Sequence, residues 1–282
     1  MLVVRREWVT DRPRDRGGAI VTILITGTDT GVGKTVVTAC LAASFAERAR
    51  VVCDLHSVGP VAERTRVADA PEPKPPSAGR TDVADASERE ERQPRAVRAL
   101  KPVATGVIPG TDAEDAVIIG LAAGHSPMCF AKFAEPLSPH LAAERAGRPI
   151  VARELLAWIR SEAGDITLVE GSGGWEVPLS ADFRVSDLAV ALQAAVVVVA
   201  RNRLGVLNHT LLTVNAVTTR GLSVLGVALS PAENPDLATA MNLSELRRLL
   251  PDVPVCDVAE LDVYDEGARI RVGATLLERF GV

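Results

Sequence analysis

The sequence predicts an α/β fold, a doubly wound, mainly parallel sheet with helices on both faces. Three observations predict it. From Ile20 onward, short apolar runs alternate with segments of helical periodicity. One run, residues 194–200, is apolar at every position, as in a parallel strand covered on both faces. A glycine-rich loop, Gly27-Thr28-Asp29-Thr30-Gly31-Val32-Gly33-Lys34-Thr35, lies between an apolar run and a helix-like run, the order strand, loop, helix.

Taken in chain order, residues 1–19 carry many arginines and no periodicity, and are expected to form a disordered tail. They lack the apolar centre of a secretory signal, and Glu7, Asp11 and Asp15 speak against an organellar targeting segment. Residues 20–26 are the first strand and 35–49 the first helix. Between about 54 and 94 no periodicity is sustained. Pro71-Glu72-Pro73-Lys74-Pro75-Pro76 suits neither a helix interior nor a central strand, and Ser87 to Arg92 is a charge run. This stretch is expected to be a disordered insertion interrupting one domain, 20–282. The remaining strands are placed at 98–104, 166–170, 194–200 and 223–229, with a weaker one at 253–258. The helices are placed at 114–123, 138–146, 151–163, 185–192, 207–219 and 242–250.

Composition narrows the function. Aromatic residues make up 3% of the 282 positions, so Val, Leu, Ile and Ala must build the core. A net charge of −5 argues against nucleic-acid binding, and no apolar run reaches membrane-spanning length. The four cysteines are scattered without metal-ligand or disulfide spacing, which fits a reducing cytoplasm.

Five groups of residues carry chemistry. In the glycine loop, the backbone N–H groups of Asp29, Thr30, Gly31, Val32 and Gly33 can curl around a phosphate chain at a helix N-terminus. Lys34 adds charge at the β/γ-phosphates of a nucleotide such as ATP, and the Thr35 hydroxyl suits Mg²⁺. The loop departs from the strict spacing G-x-x-x-x-G-K-[ST], because its first glycine is at 27 and not 28. Lys101 stands at the end of a strand, where ligands of open parallel sheets sit, followed by Pro102 and a Thr105-Gly106 turn. Glu170 ends another strand, where such proteins place the carboxylate serving Mg²⁺, and Gly171, Ser172 and Gly173 let backbone approach an anion. Thr111-Asp112-Ala113-Glu114-Asp115 opens a helix, and each of its acids also fits a plain first-turn charge. Finally, the exposed N–H groups of Gly205, Val206, Leu207 and Asn208 open a helix and can bind a carboxylate.

Together these pieces resemble the dethiobiotin synthetase family. The resemblance rests on the glycine loop, Lys101-Pro102-Val103-Ala104-Thr105-Gly106, Phe133-Ala134-Glu135-Pro136-Leu137-Ser138-Pro139-His140, Gly147-Arg148-Pro149-Ile150, Val169-Glu170-Gly171-Ser172-Gly173-Gly174-Trp175 and Leu204-Gly205-Val206-Leu207-Asn208-His209. It covers roughly residues 23–229 outside the insertion.

The resemblance implies an ATP- and Mg²⁺-dependent ligase of biotin biosynthesis that closes a ureido ring from 7,8-diaminopelargonate and CO₂, through a carbamate and a carbamic–phosphoric anhydride. It implies Lys34 and Lys101 as catalytic groups, Thr35, Asp115 and Glu170 as the Mg²⁺ set, and Thr30 and Thr105 beside the substrate nitrogens. Asp115 is taken over Asp112 because an acid followed by an apolar helix keeps the family's register. Residues 205–208 would hold the substrate carboxylate across a homodimer interface. The family commonly reads adenine with an Asn-Asp pair after the strand at 223–229. Here Leu229-Ser230-Pro231 stand instead, so base preference stays open.

Two other classes share this core. A cobyrinate-type amide synthase would carry a glutaminase domain with a nucleophilic cysteine motif, and none is visible. A ParA- or MinD-like switch ATPase would carry a second lysine near Asp29 or Thr30, and neither position is lysine.

Overall fold

In a computed structural model the described residues are 21–57 and 97–282. The tail predicted at 1–19 and the insertion from residue 58 onward lie outside the described residues. The strands are β1 Val21–Gly27, β2 Val97–Leu100, β3 Val103–Thr105, β4 Ala131–Phe133, β5 Ile166–Gly174, β6 Ala195–Arg201, β7 Val224–Ser230 and β8 Val255–Asp257. The helices are α1 Lys34–Ser57, α2 Glu114–Ala123, α3 Pro139–Arg145, α4 Ala152–Ser161, α5 Val185–Ala191, α6 Val206–Thr219, α7 Leu237–Leu249 and α8 Glu266–Phe280. Six strands form one sheet in the order β2-β5-β1-β6-β7-β8, with every pairing parallel, and β3 and β4 form a separate parallel pair.

Strand periodicity divides the core into two layers. Leu24, Val169, Val196 and Val198 project to one face of the sheet and pack with Leu155 of α4, Leu188 of α5 and Val214 of α6. Their neighbours Ile23, Ile25, Leu168, Val197 and Val199 project to the other face, against Leu41 of α1, Ile119 of α2 and Leu276 of α8. Both sets are buried, which is why 194–200 carries no polar position. Each such side chain contributes about 2 kcal/mol by leaving water, so truncating one to alanine costs roughly 3 kcal/mol. Because every strand of the sheet is parallel, all carboxyl ends lie on one edge, and the residues that follow them meet there.

The structure corrects several sequence expectations. The strand placed at 98–104 is two strands in two sheets. Pro102 has no N–H for the ladder, and the Lys101 N–H bonds instead to the Met128 carbonyl at 3.0 Å. The first helix runs past residue 49 to Ser57, so the first four residues assigned to the insertion, 54–57, are helical. The helix placed at 242–250 starts earlier, at Leu237, behind an Asp236 cap whose carboxylate accepts from the Thr239 N–H at 2.8 Å. Strand β4 and helix α8 were not anticipated. The first is three residues long, and in the second Gly267, Gly273 and three arginines interrupt the apolar spacing. Among the described residues no helix is long and apolar enough to cross a membrane.

Candidate active site

The glycine loop joins β1 to α1 at the carboxyl edge. A Cβ at Gly27 would lie 2.5 Å from the Asp29 carbonyl, so the loop turns too tightly there for any side chain. That places the required first glycine at 27, one position earlier than the strict motif asks. Gly33 has φ +99°, and a Cβ there would lie 2.6 Å from Ser230 Oγ at the end of β7. The Lys34 side chain folds back over the loop, its ammonium donating to the Asp29 carbonyl at 3.1 Å.

Four side chains from four elements converge beside this loop. Lys101 Nζ lies 2.6 Å from Glu170 Oε1 and 2.7 Å from Asp115 Oδ2. The Thr35 hydroxyl lies 2.7 Å from Asp115 Oδ1 and 3.1 Å from Glu170 Oε1, within donating reach of both. Thr35 opens α1, Asp115 sits in the first turn of α2, Glu170 is on β5 and Lys101 occupies the break between β2 and β3. Asp112, the acid three positions earlier, points away and pairs with Lys132 at the surface, at 2.9 Å.

Burial sets the charges of this cluster. Lys101 and Glu170 are buried. For Lys101 burial opposes the charge, but the adjacent Glu170 and Asp115 carboxylates outweigh it and hold its pKa above the ordinary lysine value. For Asp115 burial favours the neutral acid, and Lys101, with the hydrogen bond from Thr35, outweighs it and lowers the pKa. For Lys34 the Glu170, Asp115 and Asp29 carboxylates compensate only in part. Burial first, and the Lys101 charge second, push it down to about 8.

The glycines after Glu170 bring β5 against the loop: a Cβ on Gly173 would come within 3.3 Å of Thr30 Oγ1, and the Ser172 hydroxyl donates to the Val103 carbonyl at 2.8 Å. Gly171 packs against the Val185 side chain. Thr105, half-buried, ends β3 next to the Gly106 turn. At the start of α6, Gly205 takes φ +91° and Asn208 is exposed. The Val206 N–H is already bonded to the Arg203 carbonyl at 3.1 Å, which leaves the N–H groups of Leu207 and Asn208 without a backbone acceptor among the described residues.

Two arginines that sequence reasoning did not single out reach the same loop. Arg201 donates to the Gly31 carbonyl at 2.7 Å, and Arg203 pairs with Asp29 at 2.9 Å. Their position at and just beyond the carboxyl end of β6 was the available signal. A cavity of about 590 Å³ opens beside Gly33, walled by Arg201, Ser230, Pro231, Glu233, Val258 and Glu260 among others.

A strand, a glycine loop ending in Gly-Lys-Thr, a helix, and an acid on the neighbouring parallel strand define a P-loop nucleoside-triphosphate-binding protein. The family model described as "AAA domain" matches residues 21–70 and 84–262. The ATP-dependent dethiobiotin synthetase BioD of Corynebacterium glutamicum (strain R) is 43% identical over 54% of this chain and 69% of its own length. That of Mycobacterium avium (strain 104) is 33% identical over 90% of this chain and 98% of its own length. Among solved structures, the cell division ATPase MinD of Pyrococcus furiosus is similar with a TM-score of 0.47 and 14% identity, over 94% of this chain and 99% of that one. The chain belongs to the ATP-dependent dethiobiotin synthetase family.

Proposed function

We propose that this protein closes the ureido ring of dethiobiotin from 7,8-diaminopelargonate, CO₂ and ATP. Family membership supports the substrate, and the convergence of Thr35, Lys101, Asp115 and Glu170 beside the glycine loop supports the chemistry. One substrate amine takes up CO₂ as a carbamate. A carbamate oxygen attacks the γ-phosphorus, ADP leaves, and a carbamic–phosphoric anhydride forms. The second amine attacks the carbonyl carbon, expels phosphate and releases its protons to solvent, closing the ring.

The residues divide that work. The loop N–H groups of 29–33 hold the phosphate chain, and Lys34 and Lys101 neutralise the charge that moves onto the transferring phosphoryl group. Phosphoryl transfer to a carboxylate-like oxygen needs no proton base, so two cations and aligned N–H groups suffice. Thr30 and Thr105 orient the nitrogen end of the diamine. The Leu207 and Asn208 N–H groups of the opposite subunit in a homodimer take its carboxylate, which suits a substrate with a long apolar middle. The cavity beside Gly33 takes the base.

Thr35, Asp115 and Glu170 would hold Mg²⁺. The donors fit it: they are hard oxygens, and Glu170 Oε2 is buried without a hydrogen-bond partner among the described residues. Among the described residues no group of three or more His, Cys, Asp or Glu forms a complete metal cage. The remaining ligands would thus come from phosphate and water, as Mg²⁺ prefers. When bound, the ion would neutralise β- and γ-phosphate oxygens.

The test is a phosphate-release assay with ATP, bicarbonate, Mg²⁺ and 7,8-diaminopelargonate, each omitted in turn. Release should require all four. Release that continues at full rate without the diamine would sink the synthetase reading while leaving a nucleotidase.

A further inference from the structure

Arg201 ends β6, and its guanidinium spans two parts of the site. One nitrogen donates to the Gly31 carbonyl of the glycine loop at 2.7 Å. Another donates to the Pro231 carbonyl at 3.3 Å and lies 3.8 Å from a Glu233 carboxylate oxygen, both on the wall of the cavity beside Gly33. The side chain is about three-quarters covered, with 26% of it exposed. This contact differs from the neighbouring one made by Arg203, whose partner is the half-exposed Asp29 side chain and not the loop backbone.

The backbone contact has a geometric consequence. In a trans peptide the carbonyl and the following N–H point in opposite directions, and none of the described residues follows a cis bond. A Gly31 carbonyl held by the guanidinium therefore fixes the Val32 N–H on the side of the loop away from Arg201. A planar fork can hold two carbonyls at once, and a charged donor makes each bond stronger than a neutral one would. Glycines flank Val32 on both sides, so the loop has little stiffness of its own to fix that orientation.

We propose that Arg201 is a positioning residue for the phosphate-binding loop, tying Gly31 to the Pro231 wall so that the loop N–H groups are set before nucleotide arrives. The inference rests on the glycine loop binding the nucleotide phosphates, and the experiment separates the two. Mg²⁺-ATP and inorganic triphosphate are titrated calorimetrically into the full chain, its Arg201→Met variant and its Arg201→Lys variant. Inorganic triphosphate probes the loop without the base cavity.

The Met variant should bind both probes about tenfold more weakly, the scale of losing one charge-assisted bond. At saturating ATP its kcat should fall as well, because the same N–H groups serve the transferring phosphoryl group, while its KM for the diamine should not move. The Lys variant should recover part of the affinity, because an ammonium cannot fork across two carbonyls, and it carries the test should the Met variant fold poorly. Unchanged triphosphate affinity in the Met variant, or full recovery in the Lys variant, overturns the positioning role. If the unaltered protein binds neither probe, it is the nucleotide reading that fails.

Discussion

Beside the glycine loop, Lys101 and Glu170 are almost fully buried, and Lys101 answers both the Asp115 and the Glu170 carboxylate within 2.7 Å. At the cavity beside Gly33, Glu233 keeps 76% of its side chain exposed, and Arg201 is occupied with backbone carbonyls. The two regions share the glycine loop and the same edge of the sheet, yet one is a closed ionic cluster and the other a loosely walled opening. The contrast fits the roles proposed for each. Moving a phosphoryl group demands charge at fixed positions in a low dielectric. Holding a base asks mainly for a surface of the right shape. Among the described residues that wall the opening, none is an asparagine or aspartate able to read adenine by a paired donor and acceptor.

The sharpest way to break the comparison is at the centre of the cluster. Lys101→Ala should lower kcat and kcat/KM together by about a hundredfold or more, the scale of losing a charge-stabilising donor. It should also lower the thermal midpoint, because Glu170 is left buried beside a missing cation. Near-normal turnover in steady-state assays would remove Lys101 from the mechanism.

Next in size is a pair of acids. Asp115→Asn should cost about thirtyfold in turnover and raise the Mg²⁺ concentration needed for half-maximal rate, as changes to metal-site residues typically do. Asp112→Asn, which touches only the exposed Lys132 pair, should stay within about twofold. Equal losses in the two variants would erase the distinction between the buried cluster and its surroundings.

The pH dependence of Lys34 comes third. Its pKa is lowered from 10.5 to about 8 by burial and by Lys101, and bound phosphate would favour the charged form. Nucleotide affinity should therefore fall as pH rises above 8, by about tenfold per unit at most, with proton uptake visible in calorimetry across buffers. The stability effect has the opposite sign. A lysine whose folded pKa lies below its unfolded one costs stability while charged, and the cost fades between about pH 8 and 10.5. The ligand-free Lys34→Met variant should then melt above the unaltered protein at pH 7, with the gap closing as pH rises. A gap that does not change with pH would contradict this.

The smallest expected effect lies farthest from the cluster. Leu207→Pro removes one N–H at the start of α6, where proline is tolerated. The KM for the diamine should rise about fivefold, the worth of one hydrogen bond, while the KM for ATP stays put. The protein should sediment as a dimer. Full activity as a monomer would refute a carboxylate site shared between subunits.

Much of this was legible in the sequence because it is local. Short apolar runs between helix-like segments, and the run at 194–200 that is apolar at every position, placed the strands. The order strand, glycine loop, helix placed Lys34 and Thr35, whereas Asp115 was chosen over Asp112 only by the resemblance to the dethiobiotin synthetase family. Tertiary structure decided what depends on contacts between distant segments. Pro102 splits a run that looks continuous, because the strand on either side of it pairs with a different partner. The carboxylates of Asp115 and Glu170 meet Lys101 because the start of α2, the strand β5, which runs past the predicted residue 170 to Gly174, and the break after β2 come together at one edge of the sheet. Arg201 resembles any polar residue at a strand end until the fold sets Gly31 and Pro231, 200 positions apart in sequence, within reach of one guanidinium. Local pattern records which residues can form an element, while the meeting of side chains from different elements is fixed only when the sheet brings their ends together.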